Sequence, residues 1–394
     1  MSQALTFTQM VNAPPASVYY ALTNAIALRE WLCDDAMAHA REGGYLFLGW
    51  DSGCYASGSF IALEPEEAVA FTWQGRGEPG PTEVRISLEE KSGGAFVTLA
   101  HGEIGSGEAW AATVEEFKKG WETGLENLAS VLETGVDLRV ARRPMLGIVG
   151  GEELNDKIIA ALGVPVTEGV RIAGVVEDME AEAARLQPDD VMVSLGEQPV
   201  GDFQSLVAAL TAYQAGDEVE VILYRGAEQR RVTMELSRCP TPEVPPTAGE
   251  LAEAVREIYT QSDAELAALF EGVTDADASH QPAPGEWSAK QVLGRLIADE
   301  REVQTRITSL IRGDELNVFV SNVTNPVDGV VTAYPIVSGL LDELKRAELG
   351  TVVMAAALPE EFIARKGSYL RLGTDLLFGP YHLNAHADQI QGSD

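Results

Sequence analysis

Four prolines within seven residues, Pro240, Pro242, Pro245 and Pro246, set the strongest constraint on how this chain can fold. Proline fixes φ and removes an amide donor, so no helix or sheet interior can run through them. The stretch predicts an extended, semi-rigid spacer over 240–248. A second boundary falls near 133–143, where a long amphipathic segment ends and Arg139, Arg142 and Arg143 lead into Pro144. At 394 residues the chain exceeds one ordinary core. The two boundaries divide it into 1–136, 137–239 and 249–394. Composition shifts with them: Trp31, Trp50, Trp73, Trp110 and Trp121 lie in the first region and none of the six tryptophans lies in the middle one.

The formal net charge is −33, distributed as −12 over 1–136, −8 over 137–240 and −13 over 241–394. No region offers the basic stripe that neutralises phosphates, which excludes nucleic acid and an anionic membrane as partners. No apolar run approaches the ~20 residues that span a bilayer. Residues 1–13 lack the basic and apolar segments of a signal peptide. Cys33, Cys54 and Cys239 are odd in number and far apart, which fits neither a disulfide framework nor a zinc knuckle. A cytoplasmic location is expected.

In the first region, 4–10 alternates as a strand and 15–22 reads as a helix opened by Pro14-Pro15. Strand-like runs follow at 45–50, 57–63, 68–74, 83–89 and 95–101, several separated by Gly-Gly turns. A helix over 107–132 closes the region, with Trp110, Val114, Phe117, Trp121, Leu125, Leu128 and Leu132 at three- and four-residue spacing. The ordered segments Glu30-Trp31-Leu32, Arg41-Glu42-Gly43-Gly44, Gly58-Ser59-Phe60, Phe71-Thr72-Trp73, Val97 to His101 and Gly120-Trp121 resemble the START-like (SRPBCC) superfamily. The similarity is to its branch related to activators of heat-shock-protein ATPases. The resemblance implies an α+β helix-grip fold with ligand or partner binding and no shared catalytic set. Sheet and helix would enclose an apolar ligand cavity lined by Trp31, Trp50, Trp73, His101 and Trp121. The alternative is that these aromatic residues are plain core and His101 is satisfied by backbone or water.

The middle region reads as a loop at Leu146-Gly147-Ile148, a helix over 152–162, a strand over 170–176 and a short helix over 180–186. A strand over 191–195, a helix over 203–213 and a hairpin of 218–224 with 229–236 complete it. The Leu-Gly-Ile loop and the segment from Leu186 to Val191 resemble a bacterial PDZ domain of the HtrA-associated type. That fold is an α+β, partly open barrel. The family carries glycine where this chain has Arg185 and Asp189. Backbone N–H groups at Leu146, Gly147 and Ile148 would converge on a peptide's terminal carboxylate, with Leu206 and Leu210 as the helix wall of the groove. The alternative is a groove that is empty or filled by the protein's own segments.

After the spacer, amphipathic helices read at 250–271, 289–311, 336–358 and 374–391, an all-α four-helix bundle with a long connection over 313–335. Ser288 is a plausible N-cap. The Gly285-Glu286-Trp287-Ser288 segment and the stretch from His382 to Ile390 resemble the DinB-like family. That resemblance implies a divalent metal held by three histidines. Two correspond to His382 and His386, four residues apart on one helix face. The third position is Arg295, which cannot ligate a metal, so no cofactor is expected and a divalent ion is the exception to test.

No nucleophile–base pair is legible in either N-terminal region. The chain reads as a non-enzymatic binding or adaptor protein for a small apolar ligand and a peptide or protein C-terminus. A metal-dependent DinB-like enzyme (thiol transferase or hydrolase) and a co-chaperone-like ATPase activator are the alternatives.

Overall fold

The computed structural model describes residues 3–283, 285–314 and 324–378. The chain forms two compact units: Met1–Asp137 together with Pro242–Asp394, and Leu138–Thr241.

The first region contains β1 (Gln3–Val11), α1 (Pro15–Thr23), α2 (Ala25–Trp31), β2 (Asp35–Ala38), β3 (Tyr45–Gly49), β4 (Tyr55–Glu64), β5 (Ala68–Gly75), β6 (Thr82–Lys91), β7 (Gly94–Ile104) and α3 (Glu108–Thr134). The strands form one antiparallel sheet in the order β1-β7-β6-β5-β4-β3-β2. On α3 the buried Phe117, Trp121, Leu125 and Leu128 recur every three or four residues, so one stripe faces the sheet. Their core partners include Val84, Ile86, Val97 and Leu99. The expected strand–helix order is present, with two additions. Helix α2 was missed because its start is a cap rather than a periodic run: the Asn24 side chain accepts from the N–H groups of Ile26 and Ala27. Strand β2 is four residues long at the sheet edge, too short to show alternation.

The middle unit contains α4 (Leu138–Ala141), β8 (Pro144–Met145), β9 (Ile148–Glu153), α5 (Asp156–Leu162), β10 (Val170–Val175), α6 (Glu180–Ala183), β11 (Val191–Leu195), β12 (Gln198–Pro199), α7 (Phe203–Leu210), β13 (Glu218–Arg225), β14 (Glu228–Glu235) and β15 (Ser237–Arg238). Its main sheet runs β14-β13-β11-β10-β9, with β12 on β11, and does not close on itself. The helix expected over 152–162 begins only at Asp156. Glu152 and Glu153 remain in β9 because they pair with Arg171 and Val170 of β10, and Asn155 caps the helix at Lys157 and Ile158. The turn from Arg185 to Asp190 is fixed by the buried Asp190: its carboxylate accepts from Nε and Nη2 of the half-buried Arg225, each at 2.7 Å, and from the Gln187 N–H at 2.9 Å.

The C-terminal region contains α8 (Ala248–Leu269), a short 3-10 turn (Asp277–Ser279), α9 (Ala289–Arg312), α10 (Thr324–Ala333), α11 (Val337–Ala356), α12 (Glu360–Ile363) and α13 (Lys366–Phe378). Ser288 caps α9 in a capping box with Gln291. Helix α10 occupies part of the stretch expected to be a long connection. The fourth expected helix, over 374–391, overlaps the end of α13, and its remainder lies outside the described residues. A helical C-terminal region is therefore what the structure supports in place of the full four-helix bundle.

This region shares a core with the first. Ile26 of α2 packs among Leu251, Val255, Ile307, Leu310 and Phe362. The Arg365 guanidinium donates to the carbonyls of Leu310 and Ile311 and to the Tyr20 hydroxyl. Ser368 donates to Glu30 at 2.6 Å, and Asn24 donates to the Gly313 carbonyl at 3.1 Å. The proline segment forms neither helix nor strand, yet Val244 packs against this core and the Tyr369 hydroxyl donates to the Pro245 carbonyl.

Both positions at which the PDZ-type resemblance calls for glycine adopt the left-handed conformation, with φ of 62° at Arg185 and 72° at Asp189. An L-residue there costs roughly 1–2 kcal/mol. Asp189 recovers part of this through its 2.7 Å ion pair with Arg171, whereas Arg185 bonds through its backbone, its N–H to the Glu182 carbonyl and its own carbonyl to Arg225. Arg185→Gly should therefore stabilise the middle unit by about 1 kcal/mol, read as a raised denaturant midpoint at unchanged slope.

Candidate functional site

A candidate recognition feature lies at the start of β9. Between the two-residue β8 and β9 the backbone turns through Gly147, whose φ is 70°. A Cβ there would also lie 2.8 Å from that of Met179, so glycine is required on two counts. Leu146 is buried and anchors the turn in the unit's core, with Ile148 packed against that core. The Gly147 carbonyl accepts from the Val176 N–H at 2.8 Å, which leaves the opposite face of the turn to its amides. Among the described residues, the N–H groups of Leu146 and Gly147 have no hydrogen-bond acceptor. Beyond the turn, β9 is an end strand of the sheet, paired only with β10 among the described strands. One backbone edge is thus open along Ile148–Glu153.

Helix α7 forms the wall beside this edge. Asp202 and Ser205 cap it reciprocally. The Phe203 ring lies over the backbone of Gly151: a Cβ added there would come within 3.2 Å of it. Phe203 and Val207 are 49% and 44% exposed, and with the half-buried Leu210 they form one stripe at i, i+4, i+7. Leu206, expected to belong to the wall, is 2% exposed and turns into the core. Phe203 and Val207 were missed in the sequence, although their four-residue spacing was available; Leu206 and Leu210 share the same spacing, and only packing decides between the stripes.

In the first region, Trp50, Trp73, His101 and Trp121 come together under α3. Ring centroids are 6.3 Å apart for Trp50–Trp73, 5.5 Å for Trp73–Trp121 and 5.9 Å for Trp73–His101, and Phe117 stacks on His101 at 4.1 Å. Trp31 is turned elsewhere, its indole donating to the Ala21 carbonyl. His101 is fully buried and its hydrogen bonds fix its tautomer. The Trp121 indole can only donate, so Nδ1 of His101 accepts from it at 2.9 Å. Nε2 therefore carries the proton and donates to the Thr82 hydroxyl at 2.8 Å, which in turn donates to the Trp73 carbonyl at 3.2 Å. Every polar atom in this chain has a partner. Burial lowers the His101 pKa to about 4. No sequence signal points to Thr82; the β6–β7 ladder brings it to His101 across the sheet.

The helical region contains a second buried polar cluster. Glu300 of α9 accepts from the Tyr259 hydroxyl at 2.9 Å and from the Thr351 hydroxyl at 2.7 Å. Burial raises the Glu300 pKa, and Glu348 of α11 is pushed up to about 9 by burial together with the charges of Asp263 and Glu300. Burial likewise raises Asp263. Arg295 forms a 3.0 Å ion pair with Asp299 on its own helix. Among the described residues no cluster of three or more His, Cys, Asp or Glu is arranged to hold a metal. His382 and His386 lie outside the described residues.

Residues 12–133 match the family model of the activator of Hsp90 ATPase homolog 1-like proteins (AHSA1), and residues 135–236 match that of the PDZ domain. The first two regions are an AHSA1-like domain and a PDZ domain. The periplasmic serine endoprotease DegP of Escherichia coli strain K12 is 29% identical over 114 residues, 29% of this chain and 23% of that protein. A probable periplasmic serine protease do/HhoA-like of Haemophilus influenzae is 30% identical over 95 residues, 24% of this chain and 20% of that protein. The matches thus span about a fifth to a quarter of these two relatives. Among solved structures, the Aha1 dimer from Colwellia psychrerythraea aligns with 33% of this chain and 96% of its own, at 21% identity and a TM-score of 0.29. An HSP90 activator from Plasmodium falciparum aligns over the same shares at 22% identity and a TM-score of 0.29.

Two pH dependences follow. His101 has a folded pKa below its ordinary 6.5, so its contribution is complete above 6.5 and is lost as pH falls toward about 4. Imidazole nitrogen shifts should retain the Nε2–H tautomer across that window, while unfolding free energy drops by up to about 3 kcal/mol. Glu348 has the opposite sign. Its folded pKa is raised, so stability is greatest below the ordinary 4.5 and declines as pH rises toward about 9. Glu348→Gln should flatten that alkaline decline and raise the melting temperature in mildly alkaline buffer, by the equivalent of about 1 kcal/mol or more.

Proposed function

We propose that the protein is a non-catalytic adaptor whose PDZ domain captures the C-terminus of another polypeptide. The observation that carries this reading is the pair of unengaged N–H groups at Leu146 and Gly147, placed where the open edge of β9 begins. A terminal carboxylate would accept from these amides, and the preceding residues would add as a strand antiparallel to β9. Their alternate side chains would face Phe203, Val207 and Leu210. The AHSA1-like domain provides a second binding function. It would take a small apolar ligand or a protein partner. Cys33, Cys54 and Cys239 form no disulfide with one another, which suits a cytoplasmic setting. No helix among the described residues is long and apolar enough to cross a membrane.

The family match of residues 12–133 favours a second reading, in which the chain also stimulates ATP hydrolysis by a chaperone. An ATPase assay with such a chaperone, with and without the full chain, tests it; an unchanged rate removes it.

The adaptor reading is tested with a panel of fluorescent peptides ending in apolar residues, each with a free or an amidated C-terminus. Free carboxylates should bind and amidation should weaken them at least about tenfold, because it removes the charge on which the two amides converge. Equal binding of free and amidated peptides would remove the PDZ groove from the proposal.

A further inference from the structure

The end of the groove away from the carboxylate turn is acidic. At the turn itself the charges are mixed: the exposed Arg143 precedes it in sequence, and the segment of Glu177, Asp178 and Glu180 meets Gly147 through Met179. At the other end acids predominate. Glu153 is exposed on β9 two residues past the Gly151 that Phe203 covers. Across the groove, Asp202 is the exposed N-cap of α7, and the Glu168 carboxylate lies 3.5 Å from a Cβ position at Gly201, immediately before that cap. Glu152 and Asp156 add two more acids. The cations of this end are Arg171 and Lys157, and Arg171 is already held by Glu152 at 2.6 Å and by Asp189 at 2.7 Å. Glu153, Glu168 and Asp202 appear in none of the ion pairs of the described residues.

A strand rises about 3.3 Å per residue and its alternate side chains share a face. With the carboxylate at Leu146-Gly147, a ligand's last residue lies beside Ile148. Its third-from-last residue then lies beside Gly150 and Gly151, against Phe203 and Val207. Residues farther upstream run past Glu153 toward Glu168 and Asp202. Like charges there would be repelled and opposite charges attracted, within a unit whose own charge is already negative.

Resting on the adaptor reading above, we propose that the PDZ groove selects polypeptide C-termini carrying an apolar residue third from the end and basic residues immediately upstream of it. Phe203 and Val207 read the apolar side chain; Glu153, Glu168 and Asp202 read the basic ones. Asp202 has its carboxylate pinned by the Ser205 N–H at 2.7 Å, so its charge is fixed in place. The pairing is of rim type, so it acts on choice among ligands more than on total affinity.

The test uses the full chain and two peptide series sharing one apolar C-terminal tripeptide. In one series the three preceding residues are lysine or arginine, in the other glutamate. Fluorescence anisotropy at low salt should show the basic series binding about fivefold tighter or better, with the gap narrowing as salt rises. The double variant Glu153→Gln/Glu168→Gln should close most of the gap while leaving the loss on amidation intact. Both side chains are exposed, so the variant should keep the parent's melting temperature. Serine for the third-from-last apolar residue should cost about fivefold or more, and Phe203→Ala should reduce that cost. Equal affinity of the two series, or a gap that the double variant leaves unchanged, overturns the charge selection while the adaptor reading stands on its amidation result. Binding that ignores both charge and amidation overturns the two together.

Discussion

The shared core around Ile26 and Arg365 is the constraint on which the arrangement of the chain depends. Ile26 belongs to the AHSA1-like domain by sequence and to the helical region by packing. The Arg365 guanidinium satisfies two carbonyls at the end of α9 and stacks 5.1 Å from the Phe362 ring centroid. A buried aliphatic residue and a multidentate arginine are costly to separate: truncation of such an isoleucine costs about 2–5 kcal/mol. The segments before and after the PDZ domain therefore belong to one unit, and the PDZ domain is an insertion in it. The proline segment follows from that topology. It returns the chain without adding a strand of its own, while Val244 seals against Gly373, where a Cβ would lie 2.3 Å from the valine methyl.

Much of the fold was legible where periodicity or turn chemistry encoded it. The long helix α3 ends within two residues of its expected bounds because its apolar stripe is regular and Gly135 stops it in the left-handed conformation. Strands β1, β6 and β7 of the AHSA1-like sheet alternate, whereas β3 and β5 are near-continuous apolar runs bounded by turns, and the Leu-Gly-Ile loop carries its requirement for glycine openly. The failures share another cause. Glu152 and Glu153 read as a helix start because acids favour a first turn, and only the ladder with β10 holds them extended. Leu206 read as groove wall because helical spacing alone cannot say which of two neighbouring stripes meets the core. Asp263 and Glu348 lie 85 residues apart in sequence, and nothing local announces that the buried Glu348 meets the charge of the half-buried Asp263.

The two buried polar clusters differ in kind. The Trp121–His101–Thr82–Trp73 chain is neutral and each donor has one acceptor, so it fixes the register of α3 against β6 and β7 at little electrostatic cost. The Tyr259–Glu300–Thr351 set with Asp263 and Glu348 places three acids among apolar helices, which stabilises the protonated carboxyls and makes that interior sensitive to alkali. Tyr259 and Thr351 both donate to Glu300, while burial and the charges of Asp263 and Glu300 raise Glu348.

The proposed binding role rests on where unsatisfied hydrogen-bonding capacity lies among the described residues. In the His101 chain each donor is matched to an acceptor inside the protein, and no nucleophile is aligned with a base there. Glu300 has both carboxylate oxygens engaged by hydroxyls. The turn at Gly147 is different: two backbone donors without an acceptor stand beside an open strand edge, held by a buried leucine and by a glycine that no other residue can replace without strain. In the proposed role such donors do no chemistry; they would fix the position and direction of an acceptor chain. The side chains along α7 and β9 would then decide which chain that is.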